Sequence, residues 1–175
     1  GSLSAITSTQ RSTAIGNHAL QNLTSGTDNT AVGAYAMFNT TTGGDNVSLG
    51  ASALYSNTTG SGNVSIGVSS MRNNISGNNN TALGSSAMRY IETGSNNVAI
   101  GNYALANNIS GAGNTATGTS ALENNTGNNN SAYGANALYL NTSGEFNSAF
   151  GYQALFSNTT ADSNSAFGYQ ALYSN

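Results

Sequence analysis

NTAVG at 29–33, NVSLG at 46–50, NVSIG at 63–67, NTALG at 80–84 and NVAIG at 97–101 are one phrase written five times. The phrase continues outward in both directions. STAIG at 12–16 precedes it, and NTATG at 114–118, NSAYG at 130–134, NSAFG at 147–151 and NSAFG at 164–168 follow. Its closing glycines are Gly16, Gly33, Gly50, Gly67, Gly84, Gly101, Gly118, Gly134, Gly151 and Gly168. Their period is seventeen throughout, except for a single step of sixteen between Gly118 and Gly134. A fixed period of this size marks a solenoid-type array in which each repeat stacks on its neighbours. The chain of 175 residues therefore reads as one array over 12–175, with residues 1–11 as a lead-in opening on a Gly1–Ser2 tag scar. The short unit lacks a residue in its NNTG stretch (124–127), which places that stretch in a loop.

A second apolar element lies three and four residues after each glycine, as in Ala36-Met37, Ala53-Leu54, Ala87-Met88 and Ala154-Leu155. Asn/Thr/Ser/Gly stretches such as NTTGSGN (57–63) separate the units. So short a unit leaves no room for two helices and their turns. Asn and Gly are poor helix formers and tolerate positive φ. The pattern predicts an all-β fold: a β-solenoid of about ten turns, one repeat per turn, with two short strands per turn. Turns stacked ~4.8 Å apart make a rod about 45–50 Å long.

Numbered from the repeat glycine, equivalent residues form columns. Position −1 runs Ile15, Val32, Leu49, Ile66, Leu83, Ile100, Thr117, Tyr133, Phe150, Phe167. Position −3 is Thr or Val until −1 turns aromatic, where it shrinks to Ser131, Ser148 and Ser165. Such compensation suggests that both columns fill one packed space, and residues two apart share a strand face. Position −2 points the other way and holds only Ala or Ser in all ten units. Both faces of the strand thus read as buried, whereas a thin coil has one interior. The second face calls for a partner, and parallel copies in a homotrimer supply it. The alternative is that Ala merely fits a cramped monomer interior. At −4 stands Asn in every unit but the first, suited to a hydrogen-bonded ladder along the rod.

Composition narrows the function. Charged residues make up 5%, against roughly 25% in ordinary domains. No Cys is present, so there is neither a disulfide framework nor a Cys-ligated metal. With three Arg, no Lys and net charge −3, the electrostatic drive toward nucleic acid is nearly absent. No apolar run approaches the ~18 residues of a membrane span. His18 is the only His, and the six acids share no repeat position that suggests a glycosidase pair. Asp28 and Asp45 do occupy position −5 on adjacent turns, but Gly62, Asn79 and Asn96 continue that column, so no calcium ladder forms. The expectation is a non-enzymatic protein without cofactor or metal.

The phrase N-[TSV]-[AS]-[VILF]-G followed by A-L resembles the YadA-like head repeats of trimeric autotransporter adhesins. FGYQALFSNTT (150–160) and FGYQALYSN (167–175) resemble still more closely the NTAIGYQALYSNTTG arrays of phage tail fibres and related trimeric surface fibres. The likeness covers essentially the whole chain. It implies a parallel homotrimer, outside the cell, at a cell surface or in a virion fibre, engaged in host attachment as a shaft or adhesive head. The autotransporter repeats are usually shorter than the present unit, which leaves open whether the chains coil singly or wind together.

Position +5 varies freely and is where recognition is sought: Phe38 and Tyr55 near one end, Tyr139 and Phe156 near the other. Exposed aromatic rows can stack on sugar rings, though packing between chains explains them too. Arg72 and Arg89 hold the same column on adjacent turns and, with Tyr90, form a candidate anionic-glycan patch. Two further readings stand beside the fibre: a module binding a cell-surface glycan on the side of the solenoid, and an ice-binding rod. The second suffers from a Thr column broken at −3 by Val47, Val64 and Val98.

Overall fold

The computed structural model describes residues 11–175. The predicted lead-in, Arg11 apart, lies outside the described residues. Each repeat contributes one three-residue strand: β1 Thr13–Ile15, β2 Thr30–Val32, β3 Val47–Leu49, β4 Val64–Ile66, β5 Thr81–Leu83, β6 Val98–Ile100, β7 Thr115–Thr117, β8 Ser131–Tyr133, β9 Ser148–Phe150 and β10 Ser165–Phe167. They form a single parallel sheet in chain order. Register follows the repeat, with Val47 opposite Val64 and Leu49 opposite Ile66. The chain is therefore an all-β parallel solenoid with about nine complete turns between its first and last strands. At the shortened unit the sheet does not slip: Thr115 still pairs with Ser131 and Thr117 with Tyr133. The deletion is absorbed in the loop, because a one-residue slip would turn every strand side chain to the wrong face.

The expected second strand is absent. The Ala-Leu pair lies in a turn, and its second residue takes positive φ in every unit, from 44° at Met71 to 53° at Leu138. The residue at +2 does likewise, as at Tyr35 and Ser52. This backbone is too curled to be a strand, yet half of its hydrogen bonding still runs along the rod. Met37 N donates to the Ala53 carbonyl at 3.0 Å, whereas Ala36 N bends back to Gly33 of its own turn at 3.3 Å. Left-handed backbone costs an ordinary side-chain-bearing residue about 1–2 kcal/mol. Burial of the side chain offsets this, since Leu20, Met37, Leu54, Met71, Met88, Leu105, Leu122, Leu138 and Leu155 are all inaccessible to solvent.

The strand faces are assigned the opposite way from the expectation. Position −2 is the interior: Ala31, Ser48, Ser65, Ala82, Ala99, Ala116, Ala132 and Ala149 are buried within their own coil. Positions −1 and −3 point outward, giving β3 and β5 the alternation exposed, buried, exposed. The column that stays small thus requires no partner. It faces the Ala-Leu pair across a narrow lumen, so closely that Ser48 Oγ donates to the Ala53 carbonyl at 3.0 Å and Ser65 Oγ to the Ser70 carbonyl at 2.9 Å. A coil this thin admits only Ala or Ser opposite Leu or Met. The larger −1 residues are left outside.

Asn at −4 forms the expected ladder inside the coil. Asn63 Nδ2 donates to Asn46 Oδ1 of the preceding turn at 3.1 Å and to the Gly77 carbonyl at 2.9 Å. A second buried Asn column stands at +7. Asn74 Nδ2 donates to Asn57 Oδ1 at 2.9 Å, and Asn158 Nδ2 to Asn141 Oδ1 at 2.8 Å. The corner glycine needs both its conformation and its lack of a side chain. At Gly50 φ is +141°, and an added Cβ would lie 2.6 Å from the Gly67 carbonyl oxygen.

Candidate recognition surfaces

The coil presents two built outer surfaces. The first is the strand face. Its −1 column runs along the rod from Ile15 through Leu49, Leu83 and Ile100 to Tyr133 and Phe167, with Leu49 47% and Tyr133 40% exposed. Thr117 is its one polar member. Toward the C-terminal end the column becomes a ring stack: Tyr133 and Phe150 are 4.7 Å apart, Phe150 and Phe167 4.8 Å, with planes 8° and 1° from parallel. The Val/Thr-to-Ser change at −3 accompanies this stack, so the paired columns keep a similar bulk on the outside of the coil.

The second surface follows the turn after the glycine, where the +2 and +5 side chains meet. Residues 38, 55, 72 and 89 hold one column on four successive turns, and the first three are in contact. Phe38 and Tyr55 stack at 5.3 Å and 9°. The Arg72 guanidinium sits 5.2 Å from the Tyr55 ring centroid. On the next turn the Arg89 guanidinium sits 5.2 Å from Tyr90. Tyr139 and Phe156 also stack, at 5.3 Å, and Phe156 stacks on Tyr173 at 5.0 Å. They form a separate group, divided from the first by Ala106 and Glu123 on the intervening turns.

The first group takes in two residues outside the candidate set. Tyr35 lies 5.7 Å from Phe38 and 6.4 Å from Tyr55, and His18 stacks on Tyr35 at 5.0 Å. Both occupy +2 on adjacent turns, and that shared column is the signal the sequence offers for them. Their proximity to +5 depends on the positive-φ turn between them, which no spacing rule reports.

Charge is unevenly answered. Arg11 makes a two-pronged contact with Asp28, Nε to Oδ1 at 2.7 Å and the terminal nitrogen to Oδ2 at 2.8 Å. That hydrogen bond, more than any other influence, holds the Asp28 carboxyl below its ordinary range. It is the only ion pair among the described residues. Arg72 and Arg89 thus have aromatic faces for company and no acid, and the buried Arg89 Nε has no hydrogen-bond partner. Among the described residues no group of three or more His, Asp or Glu is placed to hold a metal ion.

Comparison with family models, curated proteins and solved structures finds no match to this chain.

Proposed function

We propose that this chain is a structural and adhesive segment of a homotrimeric extracellular fibre, at a cell surface or on a virion. The observation that carries the reading is the outward −1 column. Exposed apolar patches beyond a few hundred Å² mark interaction sites on soluble proteins. Here Ile15, Leu49, Leu83, Ile100, Tyr133 and Phe167 extend such a patch along the rod. The face is straight, narrow and carried by a parallel sheet, so copies set side by side in the same direction match turn for turn. Aliphatic turns then meet aliphatic turns, and aromatic turns meet aromatic turns. A closed ring about an axis parallel to the rod buries every copy's face equally. Three copies follow the resemblance of the repeats to trimeric surface fibres.

The mechanism is mechanical rather than chemical. A rod of stacked turns projects a surface away from its base, and three copies multiply weak contacts into avidity for a host receptor. Molar mass in solution tests the proposal directly. The chain mass is 17.6 kDa, and a species three times as heavy is expected. A species of single-chain mass at micromolar concentration overturns the proposal and favours the ice-binding rod, whose flat face would be the same outward strands.

A further inference from the structure

We infer that the side of the coil bearing Arg72 and Arg89 binds an acidic saccharide, one carrying carboxylate or sulfate groups. The two arginines hold one column on successive turns, so their backbones are separated by about 4.8 Å along the rod. Those backbones are fixed: Ser56 N donates to the Arg72 carbonyl at 2.9 Å and Asn73 N to the Arg89 carbonyl at 3.1 Å. Each guanidinium sits over a tyrosine ring, Arg72 over Tyr55 and Arg89 over Tyr90, 5.2 Å from the centroid. A guanidinium held over a ring by cation–π attraction keeps N–H donors for a planar or tetrahedral anion.

The pair is also uncompensated. Like charges on adjacent turns repel, and no acid among the described residues forms an ion pair with either one. An anion set between the guanidiniums would relieve the repulsion and accept from both.

The rest of the surface selects the kind of anion. Continuous with Arg72 lie Tyr55, Phe38 and Tyr35 in ring contact. Flat rings of this sort receive the apolar faces of sugar rings. A dense polyanion such as nucleic acid is disfavoured by the net charge of −3. A peptide adding as an extra strand would need a free edge on this side, and here the backbone hydrogen bonds run from turn to turn. A short oligosaccharide with a sparse charge fits both the rings and the arginines. All of these groups belong to one chain and none lies in the −1 column, so the site does not depend on trimer formation.

The test is titration calorimetry at low salt, with the arginine Nε–H NMR signals as the site-specific readout. The probes are a hyaluronan hexasaccharide, a chondroitin sulfate hexasaccharide, a neutral chitin hexasaccharide, sodium sulfate and a glutamate hexapeptide. The acidic sugars are expected to bind and to shift the Arg72 and Arg89 signals. The double variant Arg72→Gln/Arg89→Gln should weaken binding roughly tenfold or more, since charge-assisted hydrogen bonds are lost. Tyr55→Leu should weaken it several-fold, and Arg11→Gln should leave it unchanged. Circular dichroism confirms that each variant retains the fold. Failure of both acidic sugars to bind overturns the inference. So does equal binding of the chitin hexasaccharide, or unchanged affinity in the double variant. Sulfate or the peptide matching the sugars in affinity overturns the saccharide assignment.

Discussion

Asn74 and Ile91 occupy the same place on successive turns, and the exchange of Asn for Ile leaves the buried Asn74 Oδ1 without a donor. One turn earlier the contact is intact, with Asn74 Nδ2 on Asn57 Oδ1 at 2.9 Å. The column is thus a hydrogen-bonded ladder with a missing rung. Asn108 Oδ1 is orphaned too: Asn125, on the shortened unit, keeps the amide contact with the Gly127 carbonyl but makes none with Asn108.

Ile91→Asn should therefore be tolerated. Losing a buried Ile side chain removes roughly 1.5–3 kcal/mol of burial, and supplying the missing donor relieves an unsatisfied acceptor worth about 1–3 kcal/mol. The two nearly cancel, so denaturant melts should place the variant within about 1 kcal/mol of the parent.

Asn63→Ala tests the other ladder. It removes one of two donors from Asn46 Oδ1 and from the Gly77 carbonyl, and the acceptor of Asn80, whose N and Nδ2 lie 3.0 and 3.2 Å from Asn63 Oδ1. All are buried, and a loss of about 2–4 kcal/mol is expected. Chemical denaturation measures it, and an unchanged midpoint would show that the ladder is ornamental.

Gly50→Ala should be the most damaging small change. The added methyl meets the backbone of Gly67, which cannot move without shifting the neighbouring turn, and φ of +141° is itself strained for alanine. A loss above about 3 kcal/mol follows. Ala51→Gly, the reverse exchange at the next residue, serves as the comparison and should cost no more than about 1 kcal/mol.

Leu49→Asp with Leu83→Asp tests the proposed fibre interface. Both residues are half exposed in a single coil, so the fold should persist. In a trimer each substitution would bury unpaired carboxylates near the shared axis, at several kcal/mol apiece. Light scattering should then report the mass falling to that of one chain, with the β-rich circular dichroism retained.

The Arg11–Asp28 pair sets a pH dependence whose sign is definite. Because the folded Asp28 carboxyl lies below its ordinary value of 3.8, the pair contributes above that pH. Its contribution is lost as pH falls through the lowered folded value. NMR titration of the Asp28 carboxyl should show the midpoint moving up toward 3.8 in Arg11→Gln. The pair is at the surface, so the melting temperature should hardly change.

The period, the parallel stacking, the Asn ladder at −4 and the corner glycine were all legible in the residues. Each is a local requirement repeated in register, and repetition makes such requirements visible as columns. Gathering residues 38, 55, 72 and 89 on one side was legible for the same reason. The inward face of the strand was not. An unvarying column of Ala and Ser suits a cramped lumen and a tight interface equally well. Only the closed path of the coil, which sets Ser48 Oγ against the Ala53 carbonyl, decides for the lumen. The Ala-Leu pair looked like a strand because both residues are apolar and buried. Its curled backbone follows from the need to reverse direction soon after the glycine, which hydrophobic pattern does not encode. The sequence alone therefore determined what repeats and how the turns stack. Tertiary structure decided what faces inward, because that depends on the width of the coil, a property of the closed turn and not of any residue in it.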